Sequence, residues 1–132
     1  MEFSVLKEQA LAYAKHREIN NFVTCGSVAA AILTGEGKVY VGISIDTACS
    51  MGFCAEHGAV AEMLKHREVK IEKVIAVTDS GTIVPPCGRC RELMSQLTQE
   101  NNLTQVMINE DTIVTLESLL PADWKPHVVK HW

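Results

Sequence analysis

The sequence has no run of lysine or arginine, and its formal net charge is −4. Nothing in it offers the broad cationic face that grips nucleic-acid phosphates, so a nucleic-acid polymer is not expected as a partner. No apolar stretch approaches the ~20 residues that cross a bilayer. The first residues, MEFSVLKE, carry acidic groups and lack the apolar core of a signal peptide. Internal repeats, low-complexity tracts and linkers are also missing. These absences lead to the expectation of one cytoplasmic domain over residues 1–132, with no membrane partner.

What is present fits a folded chain. Apolar residues make up 47% of the sequence, with charges interspersed among them. Phe3, Leu6, Ala10, Leu11 and Ala14 recur at helical spacing and predict a helix over 3–17. Ser27 to Thr34 and Val39 to Ile45 flank Gly35-Glu36-Gly37 and read as a hairpin. Thr47 to Phe53 reads as a loop. A helix follows over 55–67, then a buried strand from Lys73 to Thr78. Pro85-Pro86 stops regular structure ahead of a helix from Cys87 to Gln99. Short strands at Thr104 to Ile108 and Thr112 to Thr115 precede a helical turn at Leu116 to Leu120. The alternation of helices and strands predicts an α/β layered domain with a mixed sheet.

The five cysteines are an odd count. In a reducing compartment they serve as metal ligands, nucleophiles or small buried residues. Cys87 and Cys90 stand three residues apart at the start of a helix, where such positions share one face. The helix N-terminus favours thiolate, the form that binds metal. Cys54 also follows a loop and opens a helix, so its sulfur can join them. Three sulfurs leave a tetrahedral Zn2+ with one open position, which water can fill. Glu56 lies two residues beyond Cys54, close enough to take protons without ligating the metal. This combination matches the zinc-deaminase signature in its three-cysteine form. The competing reading is a structural zinc site completed by His57 or Cys49. Cys25 and Cys49 otherwise read as core or loop residues, and His16, His66, His127 and His131 as solvated or structural.

On Val28-Ala29-Ala30-Ala31-Ile32, Cys54-Ala55-Glu56, Pro86-Cys87-Gly88-Arg89-Cys90-Arg91-Glu92 and Leu119-Leu120-Pro121, the chain resembles the small cytidine deaminase family, including blasticidin-S deaminases. The resemblance implies a three-layer α/β/α sandwich with a five-stranded mixed sheet, one Zn2+ per subunit and a homotetramer. It implies hydrolytic deamination of a small nucleoside: water adds to the ring carbon that bears the amine, Glu56 protonates the adjacent ring nitrogen, and ammonia leaves. It also implies that the Ala55 N–H holds the ring carbonyl and that the Pro85 carbonyl accepts from the amine. The family's Asn-x-Glu ribose pair corresponds to Ser44-Ile45-Asp46, where both polar side chains are shorter. His57 stands where the cytidine enzymes carry an arginine that offsets thiolate charge. Trp124, beyond the Leu-Leu-Pro segment, matches an aromatic that covers the base in a neighbouring subunit. The substrate expected is cytidine or deoxycytidine. The other readings are a modified cytosine nucleoside such as blasticidin S, another small aminated heterocycle, or a non-catalytic zinc-stabilised binding module.

Overall fold

The computed structural model describes residues 1–132. Its elements are α1 (Phe3–Leu11), β1 (Arg17–Glu18), β2 (Val23–Thr34), β3 (Val39–Thr47), α2 (Ala55–Lys65), β4 (Ile71–Thr78), α3 (Gly88–Leu97), β5 (Gln105–Asn109) and β6 (Thr112–Thr115). Short 3-10 turns lie at Ala48–Ser50, Gln99–Leu103, Glu117–Leu119 and Lys125–His127. No helix is long and apolar enough to cross a membrane.

The sheet is mixed and runs in the order β1-β2-β4-β5-β6, with β3 also paired to β2. Only β4 and β5 are parallel. It has six strands rather than the expected five. The added strand is β1, where Arg17 and Glu18 pair with Cys25 and Thr24. The first helix accordingly ends at Leu11 and not near residue 17. The start of β2 at Val23 explains both differences, because its first backbone groups need a partner on that side. Gly26 makes the crossing possible: its φ is +84°, and a Cβ there would fall 2.1 Å from the Lys15 carbonyl oxygen.

Alternation along β2 builds two cores. Ile32 faces Ala59, Val60, Met63 and Met94 of α2 and α3. Ala29, Ala31 and Leu33 face Phe3, Leu6 and Ala10 of α1 on the opposite side. The result is the three-layer α/β/α arrangement. A small third cluster, Ala30, Ala55 and Ala76, lies under the start of α2. Its short side chains let that helix end approach the sheet. Farther along, α2 crosses β3 at Gly42 and Gly58, with no side chain between the backbones.

Buried Asn101 ties the two ends of the α3 layer together. Its Oδ1 accepts from the Ile71 N–H at 2.8 Å, and its Nδ2 donates to Met94 and Val69 carbonyls at 2.9 and 3.0 Å. The tie joins the end of α3 to the start of β4.

Candidate metal centre and active site

Cys54 and Cys87 are the N-cap residues of α2 and α3, both with extended backbone. Their helices bring two positive ends to one place. The sulfurs of Cys54 and Cys87 are 3.3 Å apart, and those of Cys87 and Cys90 are 3.5 Å apart. All three lie within 4.8 Å of one another. Sulfurs bound to one tetrahedral zinc at ~2.3 Å stand about 3.8 Å apart. The two nearer separations therefore lie within about half an ångström of that spacing. Three thiolates complete three of four positions. Cys49, exposed and with a left-handed backbone, is not in the cluster, and Cys25 is buried in β2.

The thiols differ in acidity. Burial opposes ionisation of Cys87, but the backbone N–H groups of Cys90 and Arg89 and the neighbouring thiols hold it below the ordinary value. Burial, then the contact with Cys87, pushes Cys54 up. Burial and the nearby charge of Glu56 push Cys90 up. Metal binding at neutral pH therefore releases protons.

Glu56 sits in the first turn of α2 and is 3% exposed. Burial raises its carboxyl above the usual range. It lines a cavity of about 140 Å³ with Ser44, Cys54, Ala55, Pro85 and Cys87. Val28, Ala76 and Val84 form its apolar wall. The Ser44 hydroxyl oxygen accepts from the Val28 N–H at 3.0 Å, which leaves its own O–H able to donate.

A second cavity of about 430 Å³ shares Ser44 and Cys54 with the first. Asp46, Thr47, Ser50 and Arg89 give it a polar lining. Asp46 is thus at the outer mouth, exposed, and not beside Glu56. His57 stacks on Phe53, and its Nδ1 lies 3.5 Å from the Cys90 sulfur. Burial and the charge of Arg89 lower its basicity, which favours a neutral ring that donates to sulfur. Trp124 lies apart from both cavities. It is 52% exposed, and its Nε1 donates to Glu92 at 3.1 Å.

Sequence reasoning did not single out Arg89 or Arg91. For Arg89 the available signal was its place between the two ligands of one helical turn; for Arg91 there was none, since one of its partners, Leu119, lies 28 positions away. Arg89 borders the outer cavity. Arg91 points the other way, donating through Nε to the Pro86 carbonyl at 2.7 Å and through Nη1 to the Leu119 carbonyl at 3.3 Å.

The model of the cytidine and deoxycytidylate deaminase zinc-binding region matches residues 4–105. The chain belongs to this family. Among curated relatives, the cytidine deaminase of Halalkalibacterium halodurans is 32% identical over 99 residues, 72% of this chain and 74% of the relative. The fold is that of the cytidine deaminase from Mycobacterium tuberculosis, with a TM-score of 0.79 at 21% identity, covering 95% of this chain and 98% of that one. The cytidine deaminase from Burkholderia pseudomallei has a TM-score of 0.74 at 25% identity, covering 92% and 98%. This member of the deaminase family is a zinc-dependent hydrolase, and its three-thiol cluster is able to hold one Zn2+.

Proposed function

We propose that this protein hydrolyses cytidine or deoxycytidine to the uracil form and releases ammonia. The observation that carries the reading is the shared cavity: a buried carboxyl, Glu56, stands with Cys54 and Cys87 of a three-thiol cluster. A purely structural zinc site has no need of that carboxyl. When bound by Cys54, Cys87 and Cys90, zinc supplies an activated water at neutral pH.

Glu56 takes a proton from the water and delivers it to the ring nitrogen beside the amine-bearing carbon. The water oxygen bonds to that carbon, Glu56 carries the remaining hydroxyl proton to the amine, and the C–N bond breaks as the new carbonyl forms. Cytosine and water thus become uracil and ammonia, and Glu56 ends as it began. The Ala55 N–H holds the ring carbonyl, and the Pro85 carbonyl accepts from the amine. Ser44 and Asp46 take the sugar: Ser44 by its free O–H, Asp46 as an acceptor at the mouth. The single basic side chain lining the outer cavity, Arg89, shares it with Asp46, which suits a neutral nucleoside better than a phosphate. Trp124 covers the base of a neighbouring subunit in a cytoplasmic homotetramer, a reading supported by the family resemblance. The whole of 1–132 acts as one domain.

The test is an ammonia-release assay over cytosine, cytidine, deoxycytidine, their nucleotides and blasticidin S. Cytidine or deoxycytidine should turn over fastest. Glu56→Gln should keep its zinc and lose at least ~100-fold in turnover, the lower end for a positioned acid–base group. Full turnover in that variant would remove Glu56 from the mechanism.

A further inference from the structure

The loop that carries Cys87 has few means of holding itself in place. Pro85 and Pro86 have no N–H groups, and Gly88 has no side chain. A Cβ placed on Gly88 would meet nothing within 4 Å. Cys87 itself is exposed. Yet its sulfur must stay within reach of two others that are fixed on different elements.

The Arg91 side chain holds this loop: its Nε donates to the Pro86 carbonyl at 2.7 Å. Its backbone N–H, 3.0 Å from the Cys87 carbonyl, makes only the first i→i−4 bond of α3, which any residue there would make. The same guanidinium reaches the Leu119 carbonyl at 3.3 Å, on the 3-10 turn Glu117–Leu119. A planar fork can serve acceptors on two segments at once. A lysine ammonium, a flexible point charge, does so less well.

We propose that Arg91 is the positioning residue of the metal centre: it holds Cys87 in register with Cys54 and Cys90 by clamping the loop to the turn at Leu119. The inference rests on the reading of these three thiols as the zinc ligands. Removing the clamp frees the loop, so the metal must then order it on binding. The loss of a charged hydrogen bond of this kind corresponds to roughly tenfold weaker zinc binding.

Neighbouring Glu92 supplies the control. It accepts from Lys125, Trp124 and Gln96 and so fastens the following segment, without touching the Cys87 loop. Glu92→Gln should lower thermal stability and leave zinc affinity as in the parent.

The experiment measures zinc affinity by chelator competition on the zinc-loaded full chain, for the parent, Arg91→Gln, Arg91→Lys and Glu92→Gln. Cobalt-substituted samples report the thiolate charge-transfer band. Arg91→Gln should bind zinc about tenfold more weakly and show a weaker band, with Arg91→Lys in between. Parent-like affinity in Arg91→Gln, with only a loss of thermal stability, overturns the proposal. If Arg91→Gln does not fold, parent-like affinity in Arg91→Lys overturns it equally. Loss of affinity in Glu92→Gln as large as in Arg91→Gln would also overturn it, since any loosening would then suffice. Absence of zinc from the parent would instead refute the metal reading itself.

Discussion

Gly42→Ala tests how tightly the fold sets the active site. A Cβ on Gly42 would stand 2.2 Å from the Ala55 carbonyl oxygen and 2.4 Å from the Ala59 nitrogen. Ordinary contact begins at 3.4 Å, so α2 must move by about 1.2 Å at this crossing. The obstacles are backbone atoms, which cannot rotate away. Overpacking of this kind costs about 3 kcal/mol, the upper end of the usual range. For a chain of this length that is a fall of roughly 10 °C in Tm. The same movement carries Cys54 and Glu56, because both sit at the end of α2 that Ala55 opens. Metal sites tolerate about 0.2 Å, and misplacing a reacting group by ~1 Å costs about 100-fold in rate. Gly42→Ala should therefore lose zinc affinity and about two orders of magnitude in kcat/KM. Gly58→Ala, whose added carbon would lie 3.3 Å from the Gly42 Cα, should be far milder. Gly88→Ala, in open space, should be neutral or slightly stabilising. Thermal unfolding and ammonia release on the three variants check the series. A Gly58→Ala more damaging than Gly42→Ala, or a Gly42→Ala with parent-like activity, would refute the reasoning.

Asn101→Ala should cost about 3 kcal/mol in chemical denaturation, because it strands the Ile71 N–H and two carbonyls in the interior. Zinc affinity measured under native conditions should change much less, since Asn101 lies at the far end of α3. Acid should weaken the segment after residue 121. Burial works against Glu92 ionising, but Gln96, Lys125 and Trp124 hold its carboxyl below the usual range. Asp123 is likewise lowered, by Lys125 against burial. Groups depressed in the folded state contribute fully above their ordinary range, and that contribution is lost as pH falls below about 4.5. Glu92→Gln should flatten the fall in stability over that window; an unchanged slope would remove Glu92 from the acid response.

The metal cluster was legible because it depends on local rules. Cys87 and Cys90 share a helix face by spacing alone, and Cys54 repeats the same loop-to-helix step. Glu56, two places beyond Cys54, accordingly lines the same cavity as Cys54 and Cys87. The hidden features are those set by distant partners. The strand expected from Ser27 starts at Val23, because tertiary pairing carries β2 through Gly26 and draws Arg17–Glu18 into the sheet. The Gly42–Gly58 crossing depends on two elements meeting at one register, which periodicity within either element does not encode. Glu92 and Trp124 are 32 positions apart and meet only because the last segment folds back over α3. Asp46 was placed by likeness of motif; its exposure at the mouth follows from where β3 ends.

The two facing sulfurs of Cys54 and Cys87 lie 33 positions apart along the chain, with α2 and β4 between them. An ion held across them is a cross-link as well as a reagent. A bond closing a loop of that length removes about 4 kcal/mol of chain entropy from the unfolded ensemble. The ion that equips the cavity for chemistry thus also shortens the free polymer. Demand for activity and demand for a folded chain fall on one atom, and zinc supply governs both together.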